Sequence, residues 1–128
     1  MTTFTKDGKG LEHEQIVALC VFHGIFGYHY KPECEEANEL DRALFKDPNF
    51  VSDIYSAINN LPEPCGKVLL ERLAMKSYKD IAKELGIKIS KVQEHEHTAW
   101  RLVRRPERTK ALRHYTEGFK KWEEEMEG

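Results

Sequence analysis

"SYKDIAKELGIKISKVQEHEHTAW", residues 77–100, carries the residue spacing that decides the fold. Ser77 is a residue type that caps helix N-termini, and Asp80 three positions later completes a shortened capping box. Ala82 is small where two helices must cross closely, and Gly86 permits the positive φ of a tight turn. With an aliphatic residue six positions after the glycine, this is the spacing of a DNA-binding helix-turn-helix. A structural helical hairpin is the alternative interpretation.

The rest of the chain has the period of amphipathic helices, and no stretch alternates with a period of two for long enough to predict a sheet. We therefore predict an all-α fold. The expected helices cover residues 11 to 24 or 27, 33–45, 50–59, 65–74, 78–85 and 91–103, with one last helix from Pro106 to the acidic end.

The stretch Leu61-Pro62-Glu63-Pro64 is the clearest helix-breaking segment, and the sign of the charge changes there. Residues 1–60 hold 5 Lys and Arg against 10 Asp and Glu, whereas residues 61–122 hold 15 against 8. The last six residues include four glutamates. We predict an acidic helical N-terminal domain (1–60), a helix-turn-helix domain (61–115) and an acidic C-terminal helix end (116–128).

Length and composition narrow the class of protein. A chain of 128 residues can bury a core of its own, and no apolar run is long enough to span a bilayer. The start, residues 1–6, has no apolar segment that resembles a signal peptide. Three widely spaced cysteines do not suggest a disulfide framework. We expect a cytoplasmic protein without a membrane partner. The excess of basic residues in 61–122 favours a polyanion as a binding partner, although it is also compatible with an ordinary solvated helical surface.

Residues 61–115 resemble the fourth conserved region of bacterial sigma factors of the housekeeping class. In the first half of that region Leu61, residues 67–69, Arg72 and Leu73 fall in step with the family. In the second half the identical residues, without a gap, are Asp80, Lys83, Glu96, Ala99, Arg101, Arg104, Pro106, Arg108, Leu112 and Arg113. We call residues 61–115 the sigma-like module. The resemblance does not extend to residues 1–60.

The resemblance implies a module that reads promoter DNA through its second helix and docks on the β flap of RNA polymerase. The expected partners are double-stranded promoter DNA and RNA polymerase or a sigma-like partner subunit, and a homodimer is conceivable. The candidate DNA-binding residues are Ser90, Lys91, Gln93, Glu94, His97, Thr98 and Arg101. The candidate phosphate or polymerase contacts are Lys67, Arg72, Arg104, Arg105, Arg108 and Arg113.

The chain departs from the sigma family where that family reads bases. Two family arginines correspond to Ile89 and Gln93, and Glu94 replaces a glutamine. Because a bidentate arginine contributes about 1 to 3 kcal/mol of base discrimination, we expect a different sequence preference or weaker binding. Lys88 stands where the family has a capping Thr or Ser, whereas Ser90 with Gln93 forms a capping box. This predicts a helix that begins two residues late.

No strong sequence pattern predicts a metal centre or an active site. His95 and His97 point about 200° apart on a helix and cannot share one ion. A second candidate metal set combines Cys20, His23, His29 and Cys34, although it lacks a C-x2-C knuckle. We expect no cofactor. No phosphate loop or catalytic motif is present, so an enzyme is not expected.

The sequence therefore predicts a bacterial or bacteriophage transcription factor or regulator with a sigma-like module. One alternative is a mimic of that module, which binds polymerase without reading DNA and acts as a co-activator or inhibitor. Another is a dimeric helix-turn-helix repressor, which would need paired half-sites.

Overall fold

The computed structural model describes residues 11–27 and 35–127, with side chains from 11–27 and 39–125. Within those ranges the chain is helical and contains no strand, which confirms the predicted all-α fold. The helices are α1 (His13–Phe26), α2 (Glu35–Leu44), α3 (Phe50–Asn59), α4 (Cys65–Leu73), α5 (Tyr78–Leu85), α6 (Ile89–Val103), α7 (Pro106–Thr109), a 3-10 helix (Lys110–Thr116) and α8 (Glu117–Glu127). None of the described helices is long and apolar enough to cross a membrane.

The predicted single C-terminal helix is wrong, because three segments follow Pro106 in its place. The hydroxyl of Thr109 donates to the carbonyl of Pro106 at 3.4 Å, and that of Thr116 donates to the carbonyl of Arg113 at 2.6 Å. Such side-chain bonds to the preceding turn compete with the α-helical pattern. Both threonines are buried and lie where one segment gives way to the next.

The larger hydrophobic cluster takes residues from both sides of Pro62. Its aromatic centre is a chain of rings: Phe22 of α1 lies 5.6 Å from Phe50 of α3, and Phe50 lies 5.0 Å from Tyr115 of the 3-10 helix. Phe119 of α8 completes the chain, 5.5 Å from Phe22. The predicted boundary at residue 61 therefore marks a change of charge, while the packing joins the segments on either side of it.

The smaller hydrophobic cluster lies entirely within the sigma-like module. Its buried members are Val68 of α4, Ile81 and Ala82 of α5 and Val92 of α6. Leu85 and Ile87 pack against them. This cluster fixes α5 and α6 against α4.

Helix α1 packs against the C-terminal half of α6. Gly24 faces Trp100 so closely that a Cβ at this position would lie 2.4 Å from a ring carbon. The guanidinium Nε of Arg104 donates to the Gly24 carbonyl at 2.8 Å, and its Cζ lies 5.1 Å from the Trp100 ring centroid. Trp100 is partly buried against the larger cluster. The N-terminal segment thus helps to hold the helix that carries the candidate site.

Candidate nucleic-acid interface

The connection between α5 and α6 is short and locally determined. The Ser77 side chain accepts a hydrogen bond from the backbone N–H of Asp80 at 3.1 Å and caps α5. Gly86 ends α5 with φ 68°, and its N–H bonds to the carbonyl of Ala82. Only residues 86–88 separate the two helices. The cap and the turn that the sequence predicted are confirmed.

The predicted late start of α6 is wrong. The helix begins at Ile89 after an extended Lys88, which makes no side-chain capping bond. The N–H of Ile87 bonds to the Ala82 carbonyl at 3.0 Å, and its side chain packs against the smaller cluster. These contacts set the direction in which the chain leaves the turn, so tertiary packing overrides the capping preference of Ser90. Ser90 therefore lies exposed in the first turn of α6.

One face of α6 is a polar stripe open to solvent. At 100° per residue, positions 90, 93, 94, 97 and 101 fall within a single arc of about 100°. Of the candidate DNA-binding residues, Ser90, Lys91, Gln93, Glu94, His97 and Arg101 are exposed, and Thr98 is half-buried. We call residues 90, 93, 94, 97 and 101 the α6 stripe. Lys91 and Thr98 flank it.

Glu94 is the acidic member of the α6 stripe, and Lys91 accompanies it. The Lys91 Nζ donates to the Glu94 carboxylate at 3.0 Å, and this hydrogen bond holds the pKa of Glu94 below its ordinary value. Glu94 is therefore ionised at neutral pH, and the ammonium beside it offsets part of its charge. Next to phosphates the pair is less repulsive than an isolated carboxylate.

Glu96, in contrast, faces inward. The phenol of Tyr78 donates a short hydrogen bond to its carboxylate, and the Arg72 Nε lies 3.4 Å from its second oxygen. Arg72 also donates to the Lys76 carbonyl at 2.8 Å and stacks 4.0 Å from the Tyr78 ring centroid. The hydrogen bond to Glu96 raises the pKa of Tyr78. Arg72 and Glu96, both matched in the resemblance, thus link α4 to α6.

The candidate phosphate or polymerase contacts do not form one surface. Lys67 pairs with Glu84 at 3.3 Å, and the Arg105 guanidinium lies 3.9 Å from Glu107. Arg108 donates to the Asn60 carbonyl at 3.1 Å and so ties the start of α7 to the end of α3. Lys67 and Arg105 thus make exposed ion pairs, whereas Arg108 makes a bond that links two segments of the chain.

Two of these cations share a cleft that the sequence did not reveal. Arg104 and Arg113 line it together with Lys120, which was not among the candidates. Lys120 is seven positions beyond Arg113, and Thr109, Arg113, Thr116 and Lys120 have the spacing of one helix face. That local spacing could have indicated their shared face, but not the approach of Arg104 and of the end of α1.

The candidate metal residues form other contacts. His23 Nε2 lies 2.8 Å from the buried carboxylate of Asp41, and Cys20 is exposed. His29 and Cys34 lie outside the described residues. His95 is half-buried, whereas His97 is exposed on the stripe. In the described part of the chain, no three His, Cys, Asp or Glu side chains are grouped to hold a metal ion.

Comparison of the chain with protein families, with curated proteins and with solved structures found no match. The resemblance to the sigma region accordingly remains a prediction from the residues quoted above.

Proposed function

We propose that this protein is a transcription regulator that inserts α6 into the major groove of promoter DNA and contacts RNA polymerase through the sigma-like module. The observation that carries the proposal is the α6 stripe. It is a solvent-exposed row of hydrogen-bonding side chains on a helix that α4 and α5 hold rigidly. Sites on helices supported by packing position their side chains accurately.

The dimensions of α6 suit this role. Its 15 residues extend over about 22 Å at 1.5 Å per residue, and the major groove of B-DNA, about 12 Å wide, admits one α-helix. Gln93 and His97 lie one turn apart in the stripe, where both can reach base edges. Gln93 suits adenine, to which glutamine donates and accepts at once. Arg101 lies further along the same face and suits a phosphate.

The inward position of Glu96 favours DNA binding over the alternative of a polymerase-binding mimic. Two glutamates that faced outward on α6 would both repel phosphates. Glu96, however, accepts hydrogen bonds from Tyr78 and Arg72. Only Glu94 faces outward, and Lys91 is bonded to it. The mimic remains the second candidate function, because the family's two base-reading arginines are absent at positions 89 and 93.

The proposal is tested by selecting bound duplexes from a random-sequence pool with the wild type and with Gln93→Ala/His97→Ala. We expect the wild type to enrich one short sequence and the double variant to lose that preference while keeping non-specific affinity. The control is Ser56→Ala, an exposed polar residue of α3 outside the stripe. Equal enrichment by the double variant would contradict base reading by α6.

A parallel capture of bacterial RNA polymerase separates the two candidate functions. The variant for this test is Arg105→Ala, because alanine at Arg104 would also remove its bond to Gly24 and its stacking on Trp100. Capture of polymerase together with sequence-specific DNA binding supports the regulator. Capture without DNA binding supports the mimic.

A further inference from the structure

We propose that the cleft lined by Arg104, Arg113 and Lys120 binds a small phosphorylated molecule, with the phosphate held by these three cations. We call it the Arg113 cleft. It lies between the end of α1, the C-terminal end of α6, α7, the 3-10 helix and α8, and its volume is about 270 Å³. The inference does not depend on DNA binding by α6.

The positive charge of the Arg113 cleft is the first argument for a phosphorylated ligand. Its three cations come from three different segments of the chain, and no Asp or Glu of the described residues lines it. A phosphate monoester carries a charge of about −1.5 to −2 at neutral pH, which matches such a set better than a single carboxylate does. Guanidinium groups also present paired N–H donors with the spacing of phosphate oxygens.

Arg104 is already oriented for a ligand. Its Nε donates to the Gly24 carbonyl at 2.8 Å, and its Cζ lies 5.1 Å from the centroid of the Trp100 ring. These contacts fix the guanidinium plane and leave the terminal nitrogens for an anion. Because Arg104 is held before binding, little side-chain freedom is lost when a ligand arrives.

The walls of the cleft indicate what accompanies the phosphate. Ile25 and Phe26 are half-buried and form an apolar wall beside the cations. Thr109 and Thr116 close the cleft, and their hydroxyls donate to backbone carbonyls, so the cations are the donors left for an anion. An apolar wall next to cations suits a phosphate ester with a flat or apolar group better than inorganic phosphate.

Size and position favour a small molecule over duplex DNA as the occupant. The volume is near the lower end of the roughly 300 to 1,000 Å³ typical of small-molecule sites. Arg104 lies eleven residues beyond Gln93, about 16 Å along the direction of α6, so the cleft is separate from the centre of the α6 stripe. A small phosphate ester is compatible with both the volume and the position of the cleft.

Trp100 provides a direct readout for the test, because Arg104 stacks on it. In a Trp122→Phe background, Trp100 is the only tryptophan, and its emission reports the Arg104 environment. The full-length protein is titrated at constant ionic strength with adenosine monophosphate, with inorganic phosphate and with pyrophosphate. We expect saturable changes, with adenosine monophosphate binding more tightly than inorganic phosphate.

The variants are Arg113→Gln and Lys120→Gln, both at exposed positions, so the fold is retained and is checked by circular dichroism. Each is expected to weaken adenosine monophosphate binding by about tenfold or more through the loss of a charge-assisted bond. The matched control is Lys110→Gln, an exposed lysine of the same 3-10 helix that does not line the cleft. Phe26→Leu should weaken the ester and leave inorganic phosphate unchanged.

Three results would overturn the proposal. One is the absence of saturable binding for all three probes. Another is an equal loss of binding in Lys110→Gln and Arg113→Gln, which would indicate a general charge effect. The third is Arg113-dependent binding of duplex DNA or of an acidic peptide while the small phosphates do not bind, which would assign the cleft to a macromolecule.

Discussion

At the scale of single residues, Met75 is the most unusual position that the structure describes. Its φ of 68° lies in the left-handed region, and 87% of its surface is exposed. It ends α4 in a Schellman arrangement: its N–H bonds to the Arg72 carbonyl at 2.9 Å, and the Lys76 N–H bonds to the Glu71 carbonyl at 3.0 Å. Glycine is the usual residue at such a position, because a Cβ strains the left-handed backbone.

We therefore expect Met75→Gly to raise the free energy of unfolding by about 1 kcal/mol, since it relieves this strain and removes no packed side chain. Chemical denaturation measures the change. The control is Ala74→Gly in the same turn, where φ is −83° and glycine relieves nothing. A loss of stability in Met75→Gly equal to that in the control would show that the side chain makes contacts that stabilise the fold.

Tyr115 couples the 3-10 helix to α3 and makes stability depend on alkaline pH. Burial, and the bond that its phenol donates to Asp53 at 2.7 Å, raise the pKa of Tyr115 above its ordinary value. The folded state therefore keeps the proton that the unfolded state loses at about pH 10. This contribution to stability is complete below that pH and decreases as the pH rises further.

Tyr115→Phe should lower the free energy of unfolding by about 1 kcal/mol at neutral pH, because it removes the hydrogen bond to Asp53. Between about pH 9 and 11 its stability should fall less steeply than that of the wild type. Urea denaturation at a series of pH values measures both effects. Parallel curves for the two proteins would mean that Tyr115 titrates equally in the folded and unfolded states.

What the sequence could predict at this scale depended on how far away the partner lies. The Ser77 cap and the Gly86 turn depend on neighbours within four residues, and both were predicted. The start of α6 was not predicted correctly, because Ile87 is fixed by packing against another helix. The internal bonds of Arg72 and Arg104 were missed because their partners, Glu96 and Gly24, lie 24 and 80 positions away.

At the scale of the elements, the contact between α1 and α6 decides how the stripe is held. Gly24 allows Trp100 to approach, and the Arg104 bond to the Gly24 carbonyl fastens the contact. Most helices were predictable from hydrophobic period, with ends correct to within two residues. The break of the C-terminal region into three segments was not predicted, although the two threonine bonds that accompany it are local.

We expect Gly24→Ala to lower the free energy of unfolding by about 1 to 3 kcal/mol, since the added methyl group overlaps the Trp100 ring. The comparison is Gly118→Ala in α8, whose Cβ would meet only the flexible end of Leu40 at 3.1 Å. That change should be neutral or stabilising, because alanine favours helices by up to about 1 kcal/mol over glycine. Similar effects of the two substitutions would contradict close packing of α1 on α6.

At the scale of the whole molecule, a basic segment lies between acidic ones while the core joins them. The net charge of −2 conceals this arrangement, and the sequence revealed it once the chain was divided. The sequence did not reveal that Phe22 and Phe50 pack with Tyr115 and Phe119, because period and charge carry no information about which helices meet. The candidate DNA-binding residues were predictable because they share one helix, whereas the Arg113 cleft is assembled from five segments.

The central claim is that the α6 stripe binds DNA, and a salt titration of duplex binding tests it most directly. Fluorescence anisotropy of a labelled duplex gives the affinity of the wild type, of Arg101→Gln on the stripe and of Lys46→Gln, an exposed lysine between α2 and α3. We predict that affinity falls linearly with the logarithm of salt concentration, that Arg101→Gln reduces the slope by about one, and that Lys46→Gln leaves it unchanged. No measurable binding, or the same slope for all three proteins, would contradict the account.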